Sequence, residues 1–276
     1  MPHRSDILPA TVPLGILIRF KNSAATLPAV LAALKAQTIQ PNVIVAIDSG
    51  STDGSPEILA AAGAQVVRWD APYHHAKVLN FGLAHCPAEC VVVLSSHTVL
   101  ESPEALANLA AAMSDPRTAC ASGKWDDDPF YSDAIEWGEL QAKGLKFCSI
   151  YSNSMGILRR SLWEAVPFDE SLVTMEDYAW ALAQVRLGLV CRRLAFRFGY
   201  QRSSSRRDYA FAAITFHLAG RHGLRVVWLG ATATLRAIFS RLLPTRFCAR
   251  TLRLHADRLR ASWTGKSRLP RSEMSS

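Results

Sequence analysis

A chain of 276 residues can bury a substantial core, and one large α/β domain with an appendage fits this length better than two equal domains. Hydrophobic residues at 49% against charged residues at 20% exclude a disordered chain, and the lack of any uncharged apolar run of about 18 residues argues against a spanning helix. The net charge of +8 is unevenly divided, with 13 Lys/Arg against 20 Asp/Glu in residues 1–190 and 18 against 3 in residues 191–276, so the C-terminal third calls for an anionic partner.

Met1 to Asp6 is short and polar and lacks a signal-peptide core. The six cysteines are scattered with no CxxC pair, which reads as reduced, buried thiols in a cytosolic protein. Leu14–Ile18 reads as a buried strand, and Thr26–Gln37 as a helix with Leu27, Val30, Leu31 and Leu34 on one face. A second strand, Val43–Ile47, ends in Asp48-Ser49-Gly50-Ser51-Thr52-Asp53-Gly54. Pro56 then starts a helix running to Ala62. Gln65–Trp69 is a third strand, Val78–Cys86 a helix, and Val91–Leu94 a fully apolar, central fourth strand.

Ser95-Ser96-His97-Thr98 reads as a polar loop, followed by a helix over Pro103–Met113 and a strand over Thr118–Ser122. Asp126-Asp127-Asp128-Pro129 is a loop, and Ser132 or Asp133 can cap a helix running toward Lys143. Residues 153–170 read as loop-rich, and Met175–Leu187 as a helix opened by Glu176-Asp177. Strands alternating with helices predict a mostly parallel sheet covered on both faces. Ligands of such sheets bind outside the carboxyl ends of the strands, which singles out Arg19–Asn22, Asp48–Asp53 and Ser95–His97.

These strings carry a resemblance. Ile18-Arg19-Phe20-Lys21-Asn22 followed by Ile47-Asp48-Ser49-Gly50-Ser51-Thr52-Asp53-Gly54 resembles the start of family 2 glycosyltransferases with the GT-A Rossmann-like fold. His75-Ala76-Lys77-Val78-Leu79-Asn80-Phe81-Gly82 is similar to their segment between the third strand and the metal loop. Asn153 to Arg160, Pro167-Phe168-Asp169-Glu170 and Glu176-Asp177-Tyr178-Ala179-Trp180 resemble their acceptor-side half. The matching strings fall in order over residues 12–190. The resemblance implies a GT-A domain over residues 10–200, a basic helical extension over 201–276 with a disordered tail, and the activity of a bacterial rhamnosyl- or galactosyl-type transferase of polysaccharide and cell-envelope synthesis.

It also implies roles. Sugar transfer displaces a nucleoside diphosphate through an oxocarbenium-like transition state, so the acceptor hydroxyl needs a base and the diphosphate needs positive charge. The family's Glu-Asp pair puts the catalytic carboxylates on Glu176 and Asp177, with Asp177 as base of an inverting reaction. A helix N-terminus favours its ionised form, although the same pair can simply complement the helix dipole. Donor contacts fall on Arg19, Asn22, Asp48, Ser49, Lys77, Asn80, Ser95 and Ser96, with Asp48 accepting from the nucleobase. Acceptor-side contacts fall on Asn153, Ser154 and Trp180. Asp53, before Pro56, reads as turn and cap chemistry.

One departure stands out. The family usually places Asp-x-Asp after strand four, and this chain has Ser95-Ser96-His97. His97 is the metal candidate, for Mn²⁺ in preference to Mg²⁺. The downstream histidine of relatives is missing from Phe198-Gly199-Tyr200-Gln201-Arg202, leaving His217 or His222 to substitute. A weakly held cation, or none with Lys77 or an arginine offsetting the diphosphate, both stay open. Arg159-Arg160 reads equally as donor-sugar contact or as a solvated pair, and Trp125 and Trp137 as sugar platforms or as core.

Leu224–Leu243 alternates apolar residues with Arg225, Arg236 and Arg241, and Arg246–Arg271 adds more charge. That suits either a helix lying on an anionic membrane surface or a packed appendage with a solvated tail. No nucleic-acid motif accompanies the charge. The expected partners are therefore a nucleotide-sugar donor, a glycan or lipid-linked acceptor and an anionic membrane, for a cytoplasmic protein peripheral on the inner face. Two other classes remain: a non-catalytic nucleotide-sugar-binding protein with a degenerate metal site, and a basic membrane scaffold.

Overall fold

The computed structural model describes residues 13–123, 133–142, 150–172 and 176–200. Trp125, the Asp126–Asp128 run, His217, His222 and the whole 201–276 extension lie outside the described residues.

An eight-stranded mixed sheet is built around four parallel strands: β1 (Leu14–Phe20), β2 (Val43–Asp48), β3 (Gln65–Arg68) and β4 (Cys90–Ser95). Their spatial order is β3-β2-β1-β4. A short β5 (Thr98–Leu100) pairs outside this sheet. Beyond β4 the sheet continues with β8 (Met155–Arg159), β6 (Thr118–Gly123), β9 (Val190–Leu194) and β7 (Ala134–Ile135). Strand β8 runs antiparallel to both β4 and β6, so the sheet changes character beside β4. The last strand, β10 (Phe198–Tyr200), forms a separate antiparallel ribbon with β5.

Alternation along the central strands divides the core in two. Leu14, Ile16, Ile18 and Phe20 of β1 and Val92 and Leu94 of β4 face α1 (Leu27–Lys35), α2 (Ser55–Ala61) and α4 (Ala105–Ala112). Leu17 of β1 and Val91 and Val93 of β4 face α3 (His75–His85), α5 (Trp137–Ala142), α6 (Arg160–Ala165) and α7 (Glu176–Arg186). Helices thus cover both faces, and Cys86, Cys90, Cys120 and Cys191 are free and buried among them.

Several local readings need correction. Residues 153–170 are not mainly loop: they hold β8, in the middle of the sheet, and α6. Gly156 looks like a turn residue locally, but pairing with both β4 and β6 places it in a strand. Asp133 does not cap a helix; Ala134 and Ile135 pair with β9 first, and α5 starts at Trp137. Thr98 leaves the expected loop to begin β5. Trp137 lies half-buried against the core with Arg186 over its ring. Arg159 donates to Met113 O at 2.8 Å, and Arg160 pairs with Glu164 at 2.9 Å.

Helix α3 must lie close to the sheet because it carries His75 to the site described below. Gly82 permits this approach: a Cβ there would sit 2.6 Å from Leu17 Cδ1 and 3.0 Å from Ile47 Cγ1. Gly82→Ala therefore overpacks the junction and should lower stability by about 1–3 kcal/mol, outweighing the gain in helix propensity. Urea unfolding checks this, and an unchanged midpoint would show that α3 has room to shift.

Candidate active site

The parallel register brings three loops to one edge. Arg19 lies opposite Ile47 on one side and Ser95 on the other, and Phe20 lies opposite Asp48. The first two loops are stitched together. Asn22, with a left-handed φ of 47°, donates its N–H to Ser51 Oγ and accepts from Thr52 N–H at 2.9 Å. Asp53 accepts from Ala24 N–H at 2.9 Å and from Ser55, tying the entry of α1 to that of α2.

Asp48 is 2% exposed at the end of β2. Its Oδ1 accepts from the N–H groups of Gly50 and Ser51 at 3.1 and 2.8 Å, and its Oδ2 faces Arg68 Nη1 at 3.4 Å. Beside it, Ser49 Oγ is buried with no hydrogen-bond partner among the described residues.

The loop after β4 is turned inward. Ser96 Oγ hydrogen-bonds Ser23 Oγ at 2.8 Å, and Thr26 Oγ1 donates to Ser96 O at 2.7 Å. Ser96 is thereby tied to the start of α1. Ser95 is buried, its N–H donating to Ser154 O and its Oγ accepting from His97 N–H at 3.4 Å. His97 Nδ1 lies 3.4 Å from Thr26 Oγ1, and its ring meets Tyr200 edge-on at 6.2 Å between centroids.

Among the described residues no three His, Cys, Asp or Glu side chains gather into a metal-holding group. One imidazole and one buried serine do not fit a divalent cation, which takes several carboxylate, carbonyl or imidazole ligands.

The acid pair opens α7. Asn153, 1% exposed, holds both carboxylates: its backbone N–H donates to Asp177 Oδ2 at 3.1 Å and its side chain donates to Glu176 Oε1 at 3.2 Å. Tyr178 N–H donates to Asp177 Oδ1 at 2.8 Å. Glu176 is buried and Asp177 is half-buried. Asn153 Oδ1 and Tyr151 Oη are buried with no hydrogen-bond partner.

Burial, and then the adjacent Asp177, push the Glu176 carboxyl up to about 7, while Arg19 acts in the other direction. Burial also raises Asp177 above its ordinary value, against the backbone N–H groups of Asn153 and Tyr178, which lower it.

Arg19 links the two halves. Its Nη1 donates to Tyr73 Oη at 3.0 Å and lies 3.2 Å from His75 Nδ1, and Tyr73 Oη lies 2.9 Å from the same nitrogen. An arginine only donates, so His75 Nδ1 is an acceptor here and the ring proton belongs on Nε2. Tyr73, Tyr200 and Glu176 all lie close enough to raise the Arg19 pKa against the lowering effect of burial.

Asn80 and Trp180, expected in donor and acceptor contact, are both engaged within the protein. Asn80 Nδ2 donates to Phe168 O and Glu170, and its Oδ1 accepts from Trp163 Nε1 and Phe168 N–H. Both ends of its amide hold the 163–170 segment, leaving none for a donor. Trp180 is buried against Phe168 and Tyr151 with its Nε1 donating to Val166 O, so it belongs to the core rather than to an acceptor surface. Lys77 is exposed on the first turn of α3, within electrostatic reach of His74. Ser154 is half-buried, and its carbonyl accepts from Ser95 N–H and Thr98 Oγ1.

Tyr73, His75 and Tyr200 escaped the reading of the sequence. Tyr73-His74-His75 just before a helix offered a signal; Tyr200 offered none, because only the β5–β10 pairing brings it to His97.

A parallel sheet with nucleotide-type loops on its carboxyl edge, continued by an antiparallel strand and an acid pair, defines the GT-A class. The chain belongs to the family described as glycosyl transferase family 2, whose profile matches residues 16–164. An O-antigen chain rhamnosyltransferase of Salmonella typhimurium is 26% identical over 63% of this chain and 61% of its own. Another, of Salmonella anatum, is 25% identical over 56% of this chain and 55% of its own. The chain thus spans about three-fifths of the length of these curated relatives.

Solved structures share the fold. A mannosyltransferase of Pyrobaculum calidifontis, in complex with GDP-Man and Mn²⁺, aligns with TM-score 0.58 and 17% identity over 96% of this chain and 79% of that one. Glucosyl-3-phosphoglycerate synthase of Mycobacterium tuberculosis aligns with TM-score 0.55 and 16% identity over 75% of this chain and 78% of that one.

The acid pair has a measurable signature. Because the folded pKa of Glu176 exceeds its unfolded value, its contribution to stability is complete below the ordinary carboxylate range and is lost as pH rises through about 7. Glu176→Gln keeps the Oε1 acceptor for Asn153 and should make the protein more stable than wild type by about 1–3 kcal/mol at about pH 8, with little difference at about pH 4. Urea unfolding at both pH values checks this, and equal pH slopes in the two proteins would contradict it.

Proposed function

We propose that this protein transfers a sugar from a nucleoside-diphosphate donor to a saccharide or lipid-linked acceptor, with inversion at the anomeric carbon. The observation that carries the reading is Asp177: a half-buried residue whose carboxylate is fixed by two backbone N–H groups beside buried Glu176, in a loop contact that joins it through Asn153 and Ser154 to Ser95 at the end of β4. The acceptor hydroxyl gives its proton to Asp177 as its oxygen bonds to the anomeric carbon. On the opposite side the carbon–oxygen bond to the diphosphate breaks, and its electron pair stays with the diphosphate.

Asp48 and Ser49 hold the nucleobase in this reading, and Asn153 Oδ1, buried and without a partner, accepts a hydroxyl of the acceptor. The two rhamnosyltransferase relatives support a nucleotide-activated rhamnose and a growing cell-surface glycan as substrates. The Mn²⁺ complex of the structural neighbour supports a divalent cation in this fold, yet the described residues supply too few ligands to route a step through one.

A second reading, a nucleotide-sugar-binding protein without catalysis, is favoured by one feature, the inward-turned Ser95-Ser96 loop. Asp177→Asn separates the two. It should retain donor binding while transfer falls by about 10²–10⁴-fold, measured as release of the nucleoside diphosphate in the presence of acceptor. Transfer near the wild-type rate would remove Asp177 from the base role, and an inert wild type that still binds nucleotide would favour the second reading.

The basic C-terminal third supports contact with an anionic membrane surface on the cytoplasmic face, where a lipid-linked acceptor would be presented. Among the described residues no helix is long and apolar enough to cross a membrane. In vesicle sedimentation the full chain should bind phosphatidylserine vesicles and be released by added salt, while a chain truncated after Gly223 should bind more weakly. Equal sedimentation of both would overturn the membrane role.

A further inference from the structure

Arginine side chains in this protein are mostly paired. Arg68, Arg117, Arg159, Arg160, Arg192 and Arg197 each lie within 4.0 Å of a carboxylate oxygen. Arg19 is the contrast. Among the described residues no ion pair joins it to a carboxylate, its bonded neighbours are Tyr73 and His75, and its Nε is buried with no hydrogen-bond partner. Drawing a permanently charged guanidinium into the protein without a directly bonded carboxylate is unfavourable. Glu176 is near enough to influence it but is held by Asn153.

The position of this charge matters. Arg19 is the register partner of Ser95, the residue that stands where the family's first metal-loop carboxylate would be. On its other side it reaches toward Glu176 at the mouth of α7. It therefore lies beside the end of β4 and within electrostatic reach of the acid pair. Tyr73 and His75 fix Nη1 from one side, so the fork is held in place before anything binds.

We propose that Arg19 is the cation that meets the leaving diphosphate, a role that the Ser95-Ser96-His97 loop cannot fill by gathering a metal. This rests on the donor-binding reading above. As the carbon–oxygen bond breaks, the electron pair and negative charge collect on the β-phosphate. The guanidinium fork donates hydrogen bonds to those oxygens without itself losing a proton. A fixed cation at this point stabilises the departing group more than the ground state, and it explains why the loop can give up both carboxylates.

Calorimetry on the full chain in excess EDTA tests the proposal, with UDP, GDP and dTDP as probes, each compared with its own nucleoside. Wild type should bind at least one of the diphosphates without added metal. Arg19→Gln should weaken that diphosphate about tenfold or more while leaving the matching nucleoside within about twofold, and Arg19→Lys, which keeps the charge but not the fork, should fall between them. Should the glutamine variant fail to fold, the lysine variant carries the test by the same selective loss.

Three results overturn the proposal while sparing the donor site. They are a diphosphate affinity unchanged in both variants, an equal loss for diphosphate and nucleoside, and wild-type binding that appears only when Mn²⁺ is added. A wild type that binds none of the probes, with or without Mn²⁺, overturns the donor-binding reading itself and this inference with it.

Discussion

The register of β2, β1 and β4 is the constraint on which the site depends. Because these strands are parallel and matched residue for residue, Arg19 falls between Ile47 and Ser95, and the three following loops emerge at one edge. A slip of one residue would send Arg19 to the opposite face and pull Leu17 out of its core. The two cores guard against this, since Ile16, Ile18 and Phe20 pack on one face of β1 and Leu17 on the other. Apolar burial thus sets the placement of a charge several ångströms away.

The second half of the molecule answers that edge with an antiparallel strand. Strand β8 pairs with both β4 and β6, so the loop before it, Tyr151 to Ser154, arrives beside the end of β4. Ser154 O accepts from Ser95 N–H and Thr98 Oγ1, and Asn153 reaches the other way to grip both acids of α7. A single four-residue loop therefore couples the donor edge to the acid pair. Its polar atoms without partners, Tyr151 Oη and Asn153 Oδ1, sit where two carboxylates compete for few donors. Burial, and then the adjacent Asp177, push the Glu176 carboxyl up to about 7.

Much of this was legible in the sequence. Val91–Leu94 is apolar at every position, and a strand buried on both faces needs that pattern; it lies in the middle of the sheet. Glu176-Asp177 at the start of an apolar-faced helix was equally readable. What local pattern hid was tertiary. Asn80 looks like a donor contact in its string, yet its amide is consumed by the 163–170 segment, far along the chain. Trp180 beside the acid pair reads as an acceptor-side residue, but helical geometry packs it in the core. Residues 153–170 read as loop-rich, because nothing local reveals the two strand partners of β8. Tyr200 reaches the site only through the β5–β10 ribbon.

If Arg19 rather than a carboxylate-held metal meets the diphosphate, a crystal structure of the protein with a bound nucleoside diphosphate, grown without divalent cations, will show it. β-Phosphate oxygens should then lie within hydrogen-bond distance, about 2.7–3.2 Å, of the Arg19 guanidinium, with the nucleobase at Asp48. Phosphates turned away from Arg19 toward Lys77 or the C-terminal third, with Arg19 still bound only to Tyr73 and His75, would contradict it.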